Sequence, residues 1–335
     1  MMSLATSILL FVVLLAAVAA GWYLGFRQGQ FRRRIEEGSR MRQYLQTVAR
    51  SAEVSADPSL TAVARALAFD AENFEAHLSL GAMFRRRGEL GRATELHERL
   101  RNVPGISREQ ADNADFELGR DYFVAGMLDR AELQFQGLVD RQSQFAQQAL
   151  RQLARIYELE RDWHSALTVA ERLAAVEPSV STSAAHYCCE LAEKELGAGE
   201  SSVARRLLRR ALDFDARCIR ARLDLIELDI LGGSVDGAIA ELREVLREHP
   251  SAAPLARDVL GRWLSRLPVP GGQPAPSPEA LFAAALPESE PPATRGGYVC
   301  AQCGFQARGV IWSCPGCHGW GTLAPAASIP PNRSN

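Results

Sequence analysis

Phe74-Glu75-Ala76-His77-Leu78-Ser79-Leu80-Gly81-Ala82-Met83-Phe84, followed by Gly88, Ala93 and Leu100, is a pattern that recurs along the chain. The same places are taken by Leu118-Gly119, Tyr122, Gly126, Ala131, Phe135 and Leu138, and then by Ala154, Tyr157, Ala166, Leu173 and Pro178. A fourth copy holds Ala192, Gly199, Ala204, Leu208 and Ala211, and a fifth holds Gly233, Ala238, Leu242, Val245 and Pro250. Apolar residues at helical spacing predict α-helices. Self-similarity at a period of roughly 34 to 38 residues predicts a solenoid in which each unit buries its apolar face on the next. Leu60 to Ala71 reads as the second helix of an incomplete first unit.

The repeat resembles the tetratricopeptide repeat. It has a small residue at its eighth position and another at its twentieth, where the paired helices cross too closely for a larger side chain. Large residues at the eleventh and twenty-fourth positions fill the space beside that crossing. The resemblance implies a superhelix whose inner groove is lined by the first helix of each pair and binds peptides or protein surfaces. By repeat register, Arg85, Arg120, Arg151 and Arg155 fall toward that groove in the early repeats, while Glu193 and Glu227 take similar places later. A basic half-groove suited to an acidic partner segment is one reading, and solvated helix charges are the other. His77, His97, His164, His186 and His249 lack ligand spacing and read as packing or surface residues.

No charged residue occurs from Ser3 to Phe26. A helix rising about 1.5 Å per residue needs roughly 20 residues to cross a hydrocarbon core of about 30 Å. Trp22 and Tyr23 are placed for an interface, and Arg27, Arg32, Arg33 and Arg34 follow at once. By the positive-inside rule the remainder of the chain faces the cytoplasm. Gly21, Gly25 and Gly29 have the spacing at which two membrane helices approach closely, which leaves a homo-oligomer open.

The chain of 335 residues is 47% hydrophobic and 23% charged with a formal net charge of −2, the composition of a folded protein without a global drive toward nucleic acid. Of seven cysteines, Cys188, Cys189 and Cys218 fall in helical patterns and read as reduced core or surface fillers. The other four form Cys300-Ala301-Gln302-Cys303 and Cys314-Pro315-Gly316-Cys317. Two CxxC pairs this close predict a tetrahedral four-thiolate site for one metal ion, iron or zinc, with no open position for catalysis. Gly304 and Gly316 are expected to permit the backbone angles of the knuckles, and Phe305, Trp312 and Trp320 to supply a small apolar body that metal binding stabilises. Arg295 and Arg308 are too few for a nucleic-acid-binding ribbon.

The expected organisation is a membrane anchor at 1–26, an amphipathic connector at 27–56, a repeat array at 57–267, a Pro/Gly-rich linker at 268–297, the metal module at 298–325 and a disordered tail at 326–335. Within the linker, Pro278 to Leu286 has the pattern for a helical turn or two. The fold class is all-α, a tetratricopeptide-repeat superhelix with a transmembrane helix before it and a rubredoxin-like or zinc-ribbon module after it. No phosphate loop, nucleophile elbow or carboxylate pair marks an enzyme.

Anchor, repeats and four-cysteine tail, in this order, resemble the lipopolysaccharide assembly protein B (LapB) family of Gram-negative bacteria. The resemblance rests on His77 to Glu89, on Glu117 to Tyr122 with Gly126 to Glu132, and on Cys300 to Cys317 with Trp320. It implies a cytoplasm-facing adaptor that presents the deacetylase committing lipid A synthesis (LpxC) to a membrane-bound AAA+ protease (FtsH), with Cys300, Cys303, Cys314 and Cys317 as metal ligands. The alternative class is a rubredoxin-like electron-transfer or redox-sensing membrane protein.

Overall fold

The computed structural model describes residues 69–264, 277–285 and 297–326. The anchor at 1–26, the connector at 27–56, the first residues of the array and the tail beyond Ala326 lie outside them. Among the described residues no helix is long and apolar enough to cross a membrane. The chain divides into two compact units, up to Gln134 and from Phe135 on.

Five helix pairs follow one another among the described residues: α1 (Phe74–Arg86) with α2 (Leu90–Leu100), α3 (Arg108–Val124) with α4 (Leu128–Asp140), α5 (Ala146–Glu160) with α6 (Trp163–Ala174), α7 (Val180–Gly197) with α8 (Ser201–Phe214), and α9 (Ile219–Leu231) with α10 (Val235–Glu248). Ala93, Ala131, Ala166, Ala204 and Ala238 stand at the same position of the five second helices, and every one is fully buried. The large residues that follow them, Phe135, Leu138, Leu173, Leu208, Leu242 and Val245, are buried to the same degree. Between the paired helices, Gly88, Gly126, Gly199 and Gly233 adopt positive φ, the left-handed region that closes a helix without a Cβ clash. The third pair closes with Arg161 at φ 56° instead.

In the first unit, Phe74, Leu78 and Leu100 pack with Val103 and Ala114, while Leu80, Phe84, Ala93 and Leu96 form a second cluster. Gly81 faces the ring of His97 so closely that a Cβ there would lie 2.3 Å from Nε2. His97 is fully buried, and its Nδ1 lies 2.5 Å from Asp121 Oδ2. Asp121, also fully buried, takes a second bond of 2.7 Å from Arg85. Arg85 also pairs with Glu117, whose other oxygen accepts from Arg120 at 2.9 Å. The sequence reading placed Arg85 in a groove open to a partner. Instead it is buried between two carboxylates that tie α1 to α3.

In the second unit the pairs continue into a short 3-10 turn (Pro250–Ala252) and α11 (Ala253–Leu264). The segment read as linker contains α12 (Pro278–Ala285), and Leu281, Phe282 and Ala285 on it are buried against the cluster of α9, α10 and α11. Arg243 of α10 donates to the carbonyls of Ala284 and Ala285 and so caps the free C-terminal end of α12. The composition of 268–297 disguised this short apolar face. The last described elements form a three-stranded antiparallel sheet of order β2-β1-β3, with β1 at Tyr298–Cys300, β2 at Gln306–Ala307 and β3 at Leu323–Pro325.

Removing one partner from a buried ion network leaves an uncompensated charge, at a cost of about 3–5 kcal/mol. Asp121→Ala strands both His97 and half of the Arg85 guanidinium. It is expected to lower the stability of the first unit by roughly 3 kcal/mol, read as a shift of the urea midpoint followed by circular dichroism.

Candidate metal centre

The two CxxC pairs fold as near copies of one another. The Cys300 N–H donates to the Phe305 carbonyl at 2.8 Å and the Cys314 N–H to the Gly319 carbonyl at 3.0 Å. Four residues after each first cysteine, the N–H of Gly304 returns to Cys300 O at 2.9 Å and that of His318 to Cys314 O at 2.7 Å. Gly304 has φ +77°, as expected of a knuckle glycine, but its counterpart in the second knuckle is His318 at φ 59° and not Gly316. Gly316 is required for space: a Cβ there would lie 3.2 Å from Cys303 Sγ and 3.4 Å from Phe305 Cβ.

This folding brings all four sulfurs within 4.8 Å of one another. Cys300 and Cys317 are 3.6 Å apart, as are Cys303 and Cys314. A zinc–sulfur bond of about 2.3 Å in tetrahedral geometry spaces its ligands by about 3.8 Å, so the four side chains fit one metal ion without rearrangement. The donor set points the same way. Although desolvation opposes it, contact with Thr322 and the backbone N–H groups of Cys303 and Gln302 draws Cys300 down to about 6. The N–H of Phe305 favours the Cys303 thiolate, but the neighbouring thiols push this group up to about 12. One thiolate forms readily, and a full set requires a cation at the centre. When bound, the metal supplies a cross-link between the knuckles, held by Cys300, Cys303, Cys314 and Cys317.

The module is not a separate body. Tyr298, Cys300, Val310, Cys314 and Leu323 belong to the same buried cluster as Leu223, Ile226, Leu242, Leu260 and Phe282. Phe305, expected in an internal core, is partly exposed. Trp312 and Trp320 face the repeats. Trp320 donates its indole N–H to Glu158 at 2.7 Å, meets Trp163 and Tyr187 edge-on and stacks on His186 at 5.3 Å. Tyr187 donates to the same Glu158 oxygen at 2.5 Å, and burial together with Glu158 pushes its hydroxyl well above the usual range. Tyr298 donates to Asp258 of α11, also at 2.5 Å. Burial and the Arg220 charge hold His186 neutral, down to about 3. Of these docking residues the sequence reading named Trp312 and Trp320 for a core inside the module and His186 as a packing or surface residue, whereas Glu158, Trp163, Tyr187 and Asp258 escaped it, their one signal being the adjacent aromatic pair His186-Tyr187 on a first helix.

Of the four arginines read as groove residues, Arg120 is half-exposed and bonded to Glu117, and Arg151 is half-exposed and bonded to Glu177 at 2.8 Å. Arg155 is exposed, and Arg85 is buried as described. Glu193 and Glu227 do occupy matching places on α7 and α9, and burial pushes Glu227 up to about 9 and Asp224 beside it to about 7. The cysteines Cys188, Cys189 and Cys218 are all buried.

Two expectations follow. Because Cys300 and Cys314 sit in the core shared with the repeats, Cys303→Ser should release the metal and also loosen the dock, exposing Trp320. Metal content, tryptophan emission and proteolysis of the tail read this. Retention of the metal with a protease-resistant tail would show that Cys303 is not a ligand. A carboxyl whose folded pKa lies above its unfolded value stabilises fully below the unfolded pKa and loses that contribution as pH rises through the folded pKa. Glu227 therefore opposes folding increasingly between about 4.5 and about 9, and Glu227→Gln should gain stability over the parent across this range, read by urea titrations at pH 6, 7.5 and 9 with metal present.

Residues 298–325 match the family described as the rubredoxin metal binding domain, and residues 189–253 match the tetratricopeptide repeat. The lipopolysaccharide assembly protein B of Escherichia coli strain K12 is 27% identical, with 96% of this chain and 98% of that protein covered. Its counterpart in Haemophilus influenzae is 34% identical over 72% of this chain and 63% of its own length. Among solved structures, the tetratricopeptide-repeat protein YrrB, described as having an unusual peptide-binding site, is 14% identical over 58% of this chain and 94% of its own, at a TM-score of 0.38. With the repeats, the four-cysteine module and this near end-to-end similarity together, the chain belongs to the lipopolysaccharide assembly protein B family.

Proposed function

We propose that this protein is a non-catalytic adaptor of the bacterial inner membrane that limits lipopolysaccharide output by presenting the deacetylase LpxC to the protease FtsH. The observation that carries the reading is the shared core of module and repeats. A metal site welded into the last repeats, with two of its cysteines buried there, serves as a structural clamp on a binding platform. The name of the relatives supports the pathway, and the repeats support a role in holding other proteins. The apolar N-terminal segment confines the platform to the membrane surface, which raises the effective concentration of two partners that meet there.

Arg120, Arg151 and Arg155 are the side chains proposed to contact an acidic partner segment. The pairs Arg120–Glu117 and Arg151–Glu177 are half-exposed, and such pairs contribute only about 0–1 kcal/mol, so a partner carboxylate can replace either at little cost. Arg85 cannot be recruited in this way.

Deacetylase half-life in cells tests the reading. Deleting residues 1–26 should lengthen it although the remaining protein folds. Reversing Arg120 and Arg155 to glutamate should lengthen it too, with a binding defect that depends on ionic strength. Normal turnover without the anchor would exclude the tethering mechanism, and normal turnover with both charges reversed would remove these arginines from the partner surface.

A further inference from the structure

We propose that Glu190, Glu193, Asp224 and Glu227 form a receptor for an arginine side chain carried by a partner protein. This goes beyond the adaptor reading and holds whichever proteins are bridged. Glu190 and Glu193 lie on α7, and Asp224 and Glu227 lie 34 residues on in each case, at the matching register of α9. Successive first helices thus bring two carboxylate pairs to one face. Among the described residues the cation paired with them is Arg220, which bonds Glu190 at 2.7 Å and Glu193 at 2.9 Å and lies 3.8 Å from Asp224. On its other side Arg220 sits 5.6 Å from the ring of Trp312, so the docked metal module helps to hold it in place.

Glu227 is left over. It is only 4% exposed, and its Oε2 has no hydrogen-bond partner. A buried acceptor without a donor is costly, and four carboxylates around one guanidinium leave the site short of positive charge. Burial first, and then the neighbouring carboxylates, push Asp224 and Glu227 upward. Glu193, whose side chain is 63% exposed, keeps the cluster open to an incoming group. A guanidinium suits it better than a divalent ion. Its fork can donate to Glu193 and Glu227 together, whereas magnesium or calcium needs six or more oxygens around a centre that the Arg220 charge already repels.

The test uses the full chain in detergent with its metal bound. The probe is a fluorescein-labelled peptide with three arginines spaced by Gly-Ser, and its counterpart carries citrulline, the neutral isostere, at the same places. Fluorescence polarisation should show the arginine peptide binding and the citrulline peptide at least tenfold weaker. Glu193→Gln and Glu227→Gln should each weaken the arginine peptide about tenfold, while Glu244→Gln, on exposed α10 surface, should leave it unchanged. Should Glu227→Gln fail to fold by circular dichroism, the exposed Glu193→Gln carries the test alone. Equal binding of both peptides, or undiminished affinity in Glu193→Gln, would overturn the proposal. So would calcium binding without peptide that Glu193→Gln abolishes, since the site would then be a metal site.

Discussion

Each described helix pair carries a fully buried alanine at one position of its second helix. Ala93, Ala131, Ala166, Ala204 and Ala238 are completely enclosed, and the large side chains beside them fill what the small ones leave open. Interiors packed to crystal-like density tolerate little change at such points. Within each unit the crossing fixes the angle within a pair, and in the second unit residues at equal register on α7 and α9 come to share one face. The dock for the metal module and the carboxylate cluster on α7 and α9 both follow from that repetition.

The metal module depends on the repeats for most of its interior. Its sheet is three short strands, too small to bury a core of its own. Tyr298, Val310 and Leu323 complete their burial against α9, α10, α11 and α12, and Trp320 anchors through one indole N–H to Glu158 among aromatic rings. Cys300 and Cys314 thus sit in the same buried cluster as the side chains that pack the last repeats. This coupling favours a structural clamp over a free-standing electron carrier.

Two buried polar networks illustrate opposite solutions to charge in a low-dielectric interior. Around Asp121 and Glu117, the cations Arg85 and Arg120 and the ring of His97 match the carboxylates almost one for one, and Glu117 is held below the usual carboxylate range despite its burial. Around Asp224 and Glu227, one guanidinium reaches three of four acids, Glu227 is left over, and burial pushes both carboxyls upward. The first network is self-contained and joins repeats. The second is incomplete, as a site that waits for a ligand would be.

The repeat period, the small and large positions of each pair and the gathering of the four cysteines were all legible in the sequence, because each is a local spacing that the helix or the knuckle imposes on residue type. Gly304 was read correctly for the same reason. Other features arise from residues far apart in the chain. Nothing within the first repeat reveals that Arg85 is buried by carboxylates more than 30 residues away, and nothing near Trp320 points to Glu158, 162 residues distant. The short helix α12 lies where a helical turn or two was expected, but its docking was not foreseen, since a brief apolar face in a proline-rich stretch acquires meaning only when α10 and α11 offer a surface to cover. The sequence by itself determined the repeat elements and which four cysteines come together. Only the tertiary structure decided which charges are neutralised, which remain unmet and what the metal module rests upon, because burial is a property of the assembled surface and not of any local spacing.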